Sequence, residues 1–258
     1  MTEPSRPAAP SASITPRATE LNRELALPFD ARLAARTLLH EARICALATL
    51  DPSGHPYNTF TNLLVEADGT PLFWAAGLAL HARNIARDAR IAMSVADCAA
   101  ADMMTAHRLT LVGRAESLGP EEMPELGALY ARRHPKAKLY LSLPDSRLYR
   151  LRVEAMQING GPARNAQEIT PADFAIELSD AADLMGAVPR LIAELETPPL
   201  LGRLQARAGR PEGRWRIISI DPEGVTLAST LHNTRLWFEE RLTTAQALRA
   251  WVAALPEA

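Results

Sequence analysis

The stretch that decides the fold runs from residue 44 to residue 66 and reads ICALATL, DPSG, H, PYNTFTNLLVE. Ile44–Leu50 is a short apolar run of the length that a buried strand has, and Pro56–Glu66 is long enough for a second strand. Between them, residues 51–54 are Asp, Pro, Ser and Gly, the types that β-turns favour for their backbone angles. The sequence therefore predicts an antiparallel hairpin here.

Four further strands follow the hairpin, and helices are predicted only around them. One helix begins at Asp30 as N-cap and ends near Ala42, a short one covers Leu78–Asp88, and a third runs from Pro120 to about His134. Because tight turns join the strands, and long crossover helices do not alternate with them, an antiparallel barrel is favoured over a doubly wound sheet. The four strands are Pro71–Ala76, Arg90–Val95, His107–Leu118 and Arg147–Ile158.

The composition changes near Thr170, and the remaining chain predicts a smaller α+β domain. A helix capped by Asp180 and ended by Pro198 precedes three strands, and Thr243 with Gln246 forms the capping box of a last helix. We expect a flexible Pro/Ala/Ser-rich arm over residues 1–24, a barrel domain over 25–175 and the small domain over 176–258. At roughly 85 residues, the small domain is expected to lean on the barrel or on another subunit. Its three strands are Trp215–Ile220, Val225–Ser229 and Thr234–Phe238.

Composition excludes several classes of partner for this chain of 258 residues. Lys and Arg total 28 against 30 Asp and Glu, so we expect no nucleic-acid partner. No apolar run approaches the ~18 residues of a membrane span, so no membrane partner is expected. Cys45 and Cys98 have no neighbouring Cys or His pair, which favours two reduced, buried thiols in a cytoplasmic protein without a metal site.

Two segments carry the polar residues of a candidate binding site, whereas common catalytic motifs are missing and no catalytic residue is predicted. The short helix after Gly77 could hold a phosphate with its free N–H groups, with His81 or Arg83 nearby and Asn84 along one flank. In ideal geometry Arg83 lies on the opposite face and could be solvated instead. The anion-site interpretation and the solvated one both stay open.

The second hairpin strand has no clean apolar face. Tyr57, Thr59 and Thr61 project to one side, and Asn58, Phe60 and Asn62 project to the other. Such a strand is either exposed or the wall of a polar pocket. Arg108 shares a face of a later strand with Thr110 and adds donors of the same kind.

Six segments in this order resemble a known family. Together they are similar to the FMN-binding split barrel of the pyridoxamine 5′-phosphate oxidase-like superfamily, nearest to its haem-utilisation (HugZ-type) branch. The resemblance implies a mainly β (β+α) fold, an antiparallel FMN-binding split β-barrel with a smaller C-terminal α+β domain. In that small domain, Leu184–Pro189 lacks both histidines of the branch, so a metal or haem role there is not expected. The segments are Ala42–Tyr57, Pro71–Arg90, Arg108–Glu116, Tyr130–Pro135, Leu148–Val153 and Gly160–Arg164.

The resemblance also implies roles for individual residues. Thr59 takes the place of a flavin-phosphate contact, His81 that of a phosphate-contacting lysine, and Arg108 a place near the flavin ring. Arg164 could pair with a propionate or a phosphate. Because two split barrels build each flavin pocket in this superfamily, we expect a homodimer with two matching pockets. The predicted cofactor-binding residues are Tyr57, Asn58, Thr59, Thr61, His81, Arg83, Asn84, Arg108 and Arg164.

The leading functional hypothesis is an FMN-dependent oxidoreductase that acts on a small-molecule ligand. Vitamin B6 chemistry itself is not expected, because the substrate-clamping Arg-x-His of the strict oxidases is not reproduced after Arg214. One alternative is a haem-binding or haem-degrading protein of the same fold. Another is a cofactor-free regulatory protein that uses the cleft for docking.

Overall fold

A computed structural model of the chain describes residues 29–161, 169–209 and 213–257. Its centre is a closed antiparallel barrel in the strand order β1-β2-β3-β6-β5-β4. The predicted split-barrel class is thereby confirmed, and each predicted barrel strand differs from the observed one by at most one residue at either end. The strands are β1 Ile44–Leu50, β2 Pro56–Val65, β3 Pro71–Ala76, β4 Arg90–Ala96, β5 Arg108–Ser117 and β6 Ser146–Asn159.

Side chains alternate between the barrel interior and its outer surface, as a pleated strand requires. In β1 the buried residues are Cys45, Leu47 and Thr49, and Ala46 and Ala48 between them are half-buried. The prediction of a buried thiol is confirmed for Cys45 and wrong for Cys98, which is exposed in the turn after β4. The interior is filled by large apolar side chains at near-zero exposure, including Leu63, Phe73, Met93, Leu109, Leu111 and Leu151.

Two helices pack against the barrel interior. Helix α1, Ala31–Glu41, begins at Asp30, whose Oδ1 accepts a hydrogen bond from Leu33 N at 2.9 Å, as predicted. It buries Ala35 and Leu39 in the barrel core, next to the start of β1.

Helix α2, Leu80–Arg87, packs at the other end of β1 and buries Ala82 and Ile85. It begins two residues later than predicted. The prediction that Leu78 points to the core is wrong, because residues before the extended N-cap Ala79 are not helical and the Leu78 side chain is 83% exposed.

Helix α3, Met123–Arg133, covers the outer surface of the barrel, and the short helices α4, Lys138–Leu141, and α5, Pro171–Phe174, follow. Tyr130 of α3 is buried against Leu64 and Leu148. Its hydroxyl donates to the carbonyl oxygen of Asn62 at 3.1 Å, which ties α3 to β2.

The C-terminal part has its own three-stranded antiparallel sheet and its own apolar core. Each strand lies within one residue of its prediction. Its elements are α6 Ala182–Leu195, α7 Pro198–Arg207, β7 Arg216–Asp221, β8 Gly224–Ala228, β9 Asn233–Trp237 and α8 Ala245–Ala254.

Three helix details of this part differ from the sequence prediction. Pro198 does not merely end α6 but begins the unpredicted helix α7, since proline fits the first helical turn. The N-cap of α6 is Ala181, and Asp180 forms an ion pair with Arg241 at 2.6 Å instead. Thr244, not Thr243, caps α8 by accepting a hydrogen bond from Ala247 N at 3.1 Å.

The small sheet packs directly on α1, in agreement with the expectation that it leans on the barrel. Trp237 donates from Nε1 to Thr37 Oγ1 at 2.9 Å, and the guanidinium groups of Arg36 and Arg235 lie over its ring at 4.9 and 4.4 Å from the centroid. Arg132 of α3 adds a second tie by donating to the Ile217 carbonyl at 2.7 Å. The domain boundary near residue 175 stays a prediction, and the predicted arm over residues 1–24 lies outside the described residues.

Candidate functional site

The barrel has a gap between β2 and β3 that exposes the polar half of β2. These two strands pair only from Leu63 to Val65 of β2, so residues 56–62 of β2 form strand pairs with β1 alone. Thr61 Oγ1 donates to the Trp74 carbonyl at 3.1 Å across this gap. We call the gap the split; it lies next to β1, to which α2 is joined through Asn84 and Thr49.

Three of the predicted residues line the split on one face of β2. Tyr57, Thr59 and Thr61 are register partners of Thr49, Leu47 and Cys45, so they share the inward face of β1, and all three are half-buried. Within the described residues, the hydroxyl groups of Tyr57 and Thr59 make no hydrogen bond, which leaves both available to a ligand. Asn58 lies on the other face and is exposed. The pocket-wall interpretation therefore suits the first three residues, and the exposed-strand interpretation suits Asn58.

The start of α2 offers fewer free amides than the sequence suggests. Gly77 N donates to the Asp145 carbonyl at 2.8 Å and Leu78 N lies 3.4 Å from its Oδ2, so both amides have a partner in the fold. No side chain caps α2 at its N-cap Ala79. Among the described residues, the first-turn amides of Leu80, His81 and Ala82 are thus the donors left for an anion.

The remaining predicted residues of α2 differ in their surroundings. His81 is half-buried, and burial lowers the pKa of its imidazole, so at neutral pH it is an uncharged hydrogen-bonding group. Arg83 is exposed, as the solvated interpretation has it. Asn84 is 1% exposed, and its amide donates to Thr49 Oγ1 at 3.0 Å. Asn84 thereby fixes α2 against β1, next to the split.

A separate groove of about 1190 Å³ lies at the other end of β1. It is bordered by α1, by the outer faces of β1, β2, β4 and β5, and by the turn before β9. Arg108 lines this groove, and its Nε is buried without a hydrogen-bond partner. Sequence reasoning missed the groove, although outward-facing Ala46, Ser94 and Ala96 along β1 and β4 signal a surface of small side chains.

Within one chain, the predicted site residues fall into two groups. Tyr57 pairs with Thr49, near the end of β1. Arg108 pairs with Ala96 of β4, which lies level with the first residue of β1, because Ser94 pairs with Ala46. Five residues of strand separate these levels, or roughly 16 Å. Arg164 lies outside the described residues. The groove therefore contains Arg108 but none of the predicted residues at the split.

A second, smaller cavity of about 270 Å³ lies between β6 and α5 and contains none of the predicted residues. Ion pairs of β6 residues border it, such as Arg152 with Glu116 at 3.1 Å. Among the residues that the structure describes, no group of three or more His, Cys, Asp or Glu side chains is placed to hold a metal ion. In the same part of the chain, no helix combines the length and apolarity needed to cross a bilayer.

A closed six-stranded antiparallel barrel with a polar split and a helix at its edge defines a split-barrel protein. The family model described as pyridoxamine 5′-phosphate oxidase matches residues 32–160, half of the chain, and the chain belongs to that family. The superfamily suggested by the sequence is thus confirmed.

Two solved structures extend the comparison beyond the barrel. A protein of unknown function from Agrobacterium tumefaciens is 50% identical, with a TM-score of 0.81, over 92% of this chain and 100% of that one. The heme binding protein from Mycobacterium smegmatis is 24% identical, with a TM-score of 0.53, over 88% of this chain and 96% of that one, and shows the same fold. No curated protein matches the chain.

Proposed function

We propose that the protein is a homodimeric FMN-binding oxidoreductase that acts on a small organic molecule. The observation that supports this most is the split, which carries the unpartnered hydroxyls of Tyr57 and Thr59, while α2, with its uncapped start and the half-buried His81, packs on the neighbouring β1. Hydroxyl, imidazole and backbone N–H groups are donors that suit a phosphate group. The donor set therefore fits the phosphate of FMN.

Each group in the split has a defined part in this proposal. Tyr57 and Thr59 donate to phosphate oxygens, and the imidazole of His81 adds a further N–H donor. The first-turn amides of α2 contribute the positive end of the helix dipole. Because no buried Arg or Lys of the described ranges completes this set, we expect weaker phosphate binding than in a site built on two cations. When bound, the isoalloxazine ring supplies the redox chemistry.

The proposed homodimer completes the site with the partner's groove. Large apolar side chains are exposed in the single chain, namely Leu78 just before α2 at 83% and Leu139 of α4 at 76%. Trp74 and Tyr140 are in ring contact at 5.6 Å, which links this apolar surface to the edge of the split. In a two-fold dimer this surface meets the groove end of the other copy, so that each flavin site takes Arg108 from the partner.

The first test is the visible spectrum of the purified protein, followed by FMN titration and light scattering. We expect flavin absorption bands that are released on denaturation, saturable FMN binding and the mass of a dimer. A monomer that binds no FMN would contradict the proposal.

The same spectrum also tests the haem alternative. His107 and His232 line the groove, and an imidazole is a ligand that haem iron takes. A shifted Soret band on addition of haemin, together with no FMN binding, would favour that alternative. A colourless protein that takes up neither group would favour a regulatory role.

A further inference from the structure

The floor of the groove is a flat patch of small side chains between an aromatic ring and a guanidinium group. The register aligns Phe60, Ala46, Ser94 and Thr110 in one row across β2, β1, β4 and β5. Arg108 stands at the β5 end of the next row. Three strand spacings separate β2 from β5, which gives roughly 14 Å between the two walls.

The aromatic wall of the groove is exposed, and its floor consists of short side chains. Phe60 is 72% exposed, far more than expected of a phenylalanine in a barrel strand. Ser94 Oγ and Thr110 Oγ1 lie 3.2 Å apart and satisfy each other. The floor thus offers an apolar platform beside Phe60, and its charged end is at Arg108.

Arg108 has no carboxylate partner among the described residues, although three carboxylates line the same groove. Asp30 accepts from Leu33 N, Glu41 from Arg235 N, and Asp97 from Ala99 N, each at 2.9–3.0 Å. Each carboxylate thus accepts from a backbone amide, Asp30 and Asp97 from nearby residues of the chain and Glu41 from β9. A guanidinium whose buried Nε lacks an acceptor is most stable when an anion supplies one.

From this arrangement we propose that the groove binds an amphipathic organic anion. Its apolar body lies over Ala46 and against Phe60, and its carboxylate, sulfonate or phosphate group pairs with Arg108. The identification of this anion as the substrate rests on the proposed flavin function, whereas the binding site itself does not.

Two fluorescent dyes with the same apolar body test the site. The probes are 8-anilinonaphthalene-1-sulfonate, which carries a sulfonate, and N-phenyl-1-naphthylamine, which is neutral. We expect Arg108→Gln to weaken binding of the sulfonate dye by about tenfold or more and to leave the neutral dye within about twofold. Phe60→Ala should weaken both dyes, because both use the aromatic wall.

Arg114→Gln serves as the matched control, since Arg114 is on the same strand but does not line the groove. This variant should bind both dyes as the native chain does, and circular dichroism confirms that each variant is folded. The proposal is overturned if the native chain binds no sulfonate dye, or if Arg108→Gln leaves its affinity unchanged or weakens both dyes equally. A native chain that binds no FMN but still shows the Arg108-dependent discrimination would refute the flavin function and leave the anion site intact.

Discussion

Of the interactions in the small sheet, we expect the buried ion pair between Asp221 and Arg235 to cost the most unfolding free energy when it is broken. Both side chains are 0% exposed, and Arg235 Nη2 donates to Asp221 Oδ1 at 2.6 Å. Arg235 also donates to Thr226 Oγ1 at 3.1 Å and lies over the ring of Trp237. Asp221→Ala would leave this guanidinium buried without its counter-charge.

The expected loss follows from the burial of both groups. Removing one partner of a buried pair costs about 3–5 kcal/mol of unfolding free energy. At about 2–4 °C per kcal/mol for a chain of this size, the melting temperature should fall by roughly 6–20 °C. The exposed pair of Arg207 and Glu239 provides the control, because Glu239→Ala should cost less than about 1 kcal/mol.

Urea unfolding followed by circular dichroism and tryptophan fluorescence measures these losses, and Trp237 reports directly on the interface with α1. A double variant, Asp221→Leu with Arg235→Met, should recover most of the stability, since no unpaired charge remains. A loss below about 1 kcal/mol in Asp221→Ala would refute the reasoning that this pair is buried and essential.

Three further predictions use other sites. His81→Ala combined with Thr59→Ala should weaken FMN binding by at least about tenfold with an unchanged urea midpoint; an unchanged dissociation constant would remove both residues from the site. Burial lowers the pKa of His134 to about 4, and the unfolded chain takes up the proton near pH ~6.5. The unfolding free energy should therefore decline on acidification between about pH 6.5 and 4, and His134→Gln should flatten this decline; an identical pH dependence would speak against it. Burial raises the pKa of the Cys45 thiol to about 12, whereas Cys98 is exposed, so Ellman's reagent should label one thiol in the native chain and two after denaturation; rapid double labelling would contradict the buried position of Cys45.

The barrel could be predicted from the sequence because its strands carry local signals. Short apolar runs bounded by turn residues such as Asp51–Gly54 fix both length and boundaries. The missed helix α7 shows the limit of such signals, since Pro198 and Pro199 end one helix and also begin the next. Whether a new helix follows the prolines depends on the packing of Leu204 in the apolar core of the small sheet.

The sequence indicates which polar residues belong to the candidate site, but not how these residues are arranged in the fold. The alternation of Tyr57, Thr59 and Thr61 indicates a polar wall, and the structure places these residues at the split. Sequence spacing could not show that Asp145, far along the chain, accepts hydrogen bonds from the loop before α2. It also could not show that Arg108 lies at the far end of the barrel, because cross-strand register fixes that distance.

Calorimetric titration with FMN and with riboflavin, which lacks the phosphate, tests most directly whether the split binds the phosphate group. We expect one FMN to bind per chain. Riboflavin should bind more weakly by at least about tenfold, because Tyr57, Thr59 and His81 have no phosphate to donate to. Equal affinities for the two flavins, or no binding of either, would contradict this expectation.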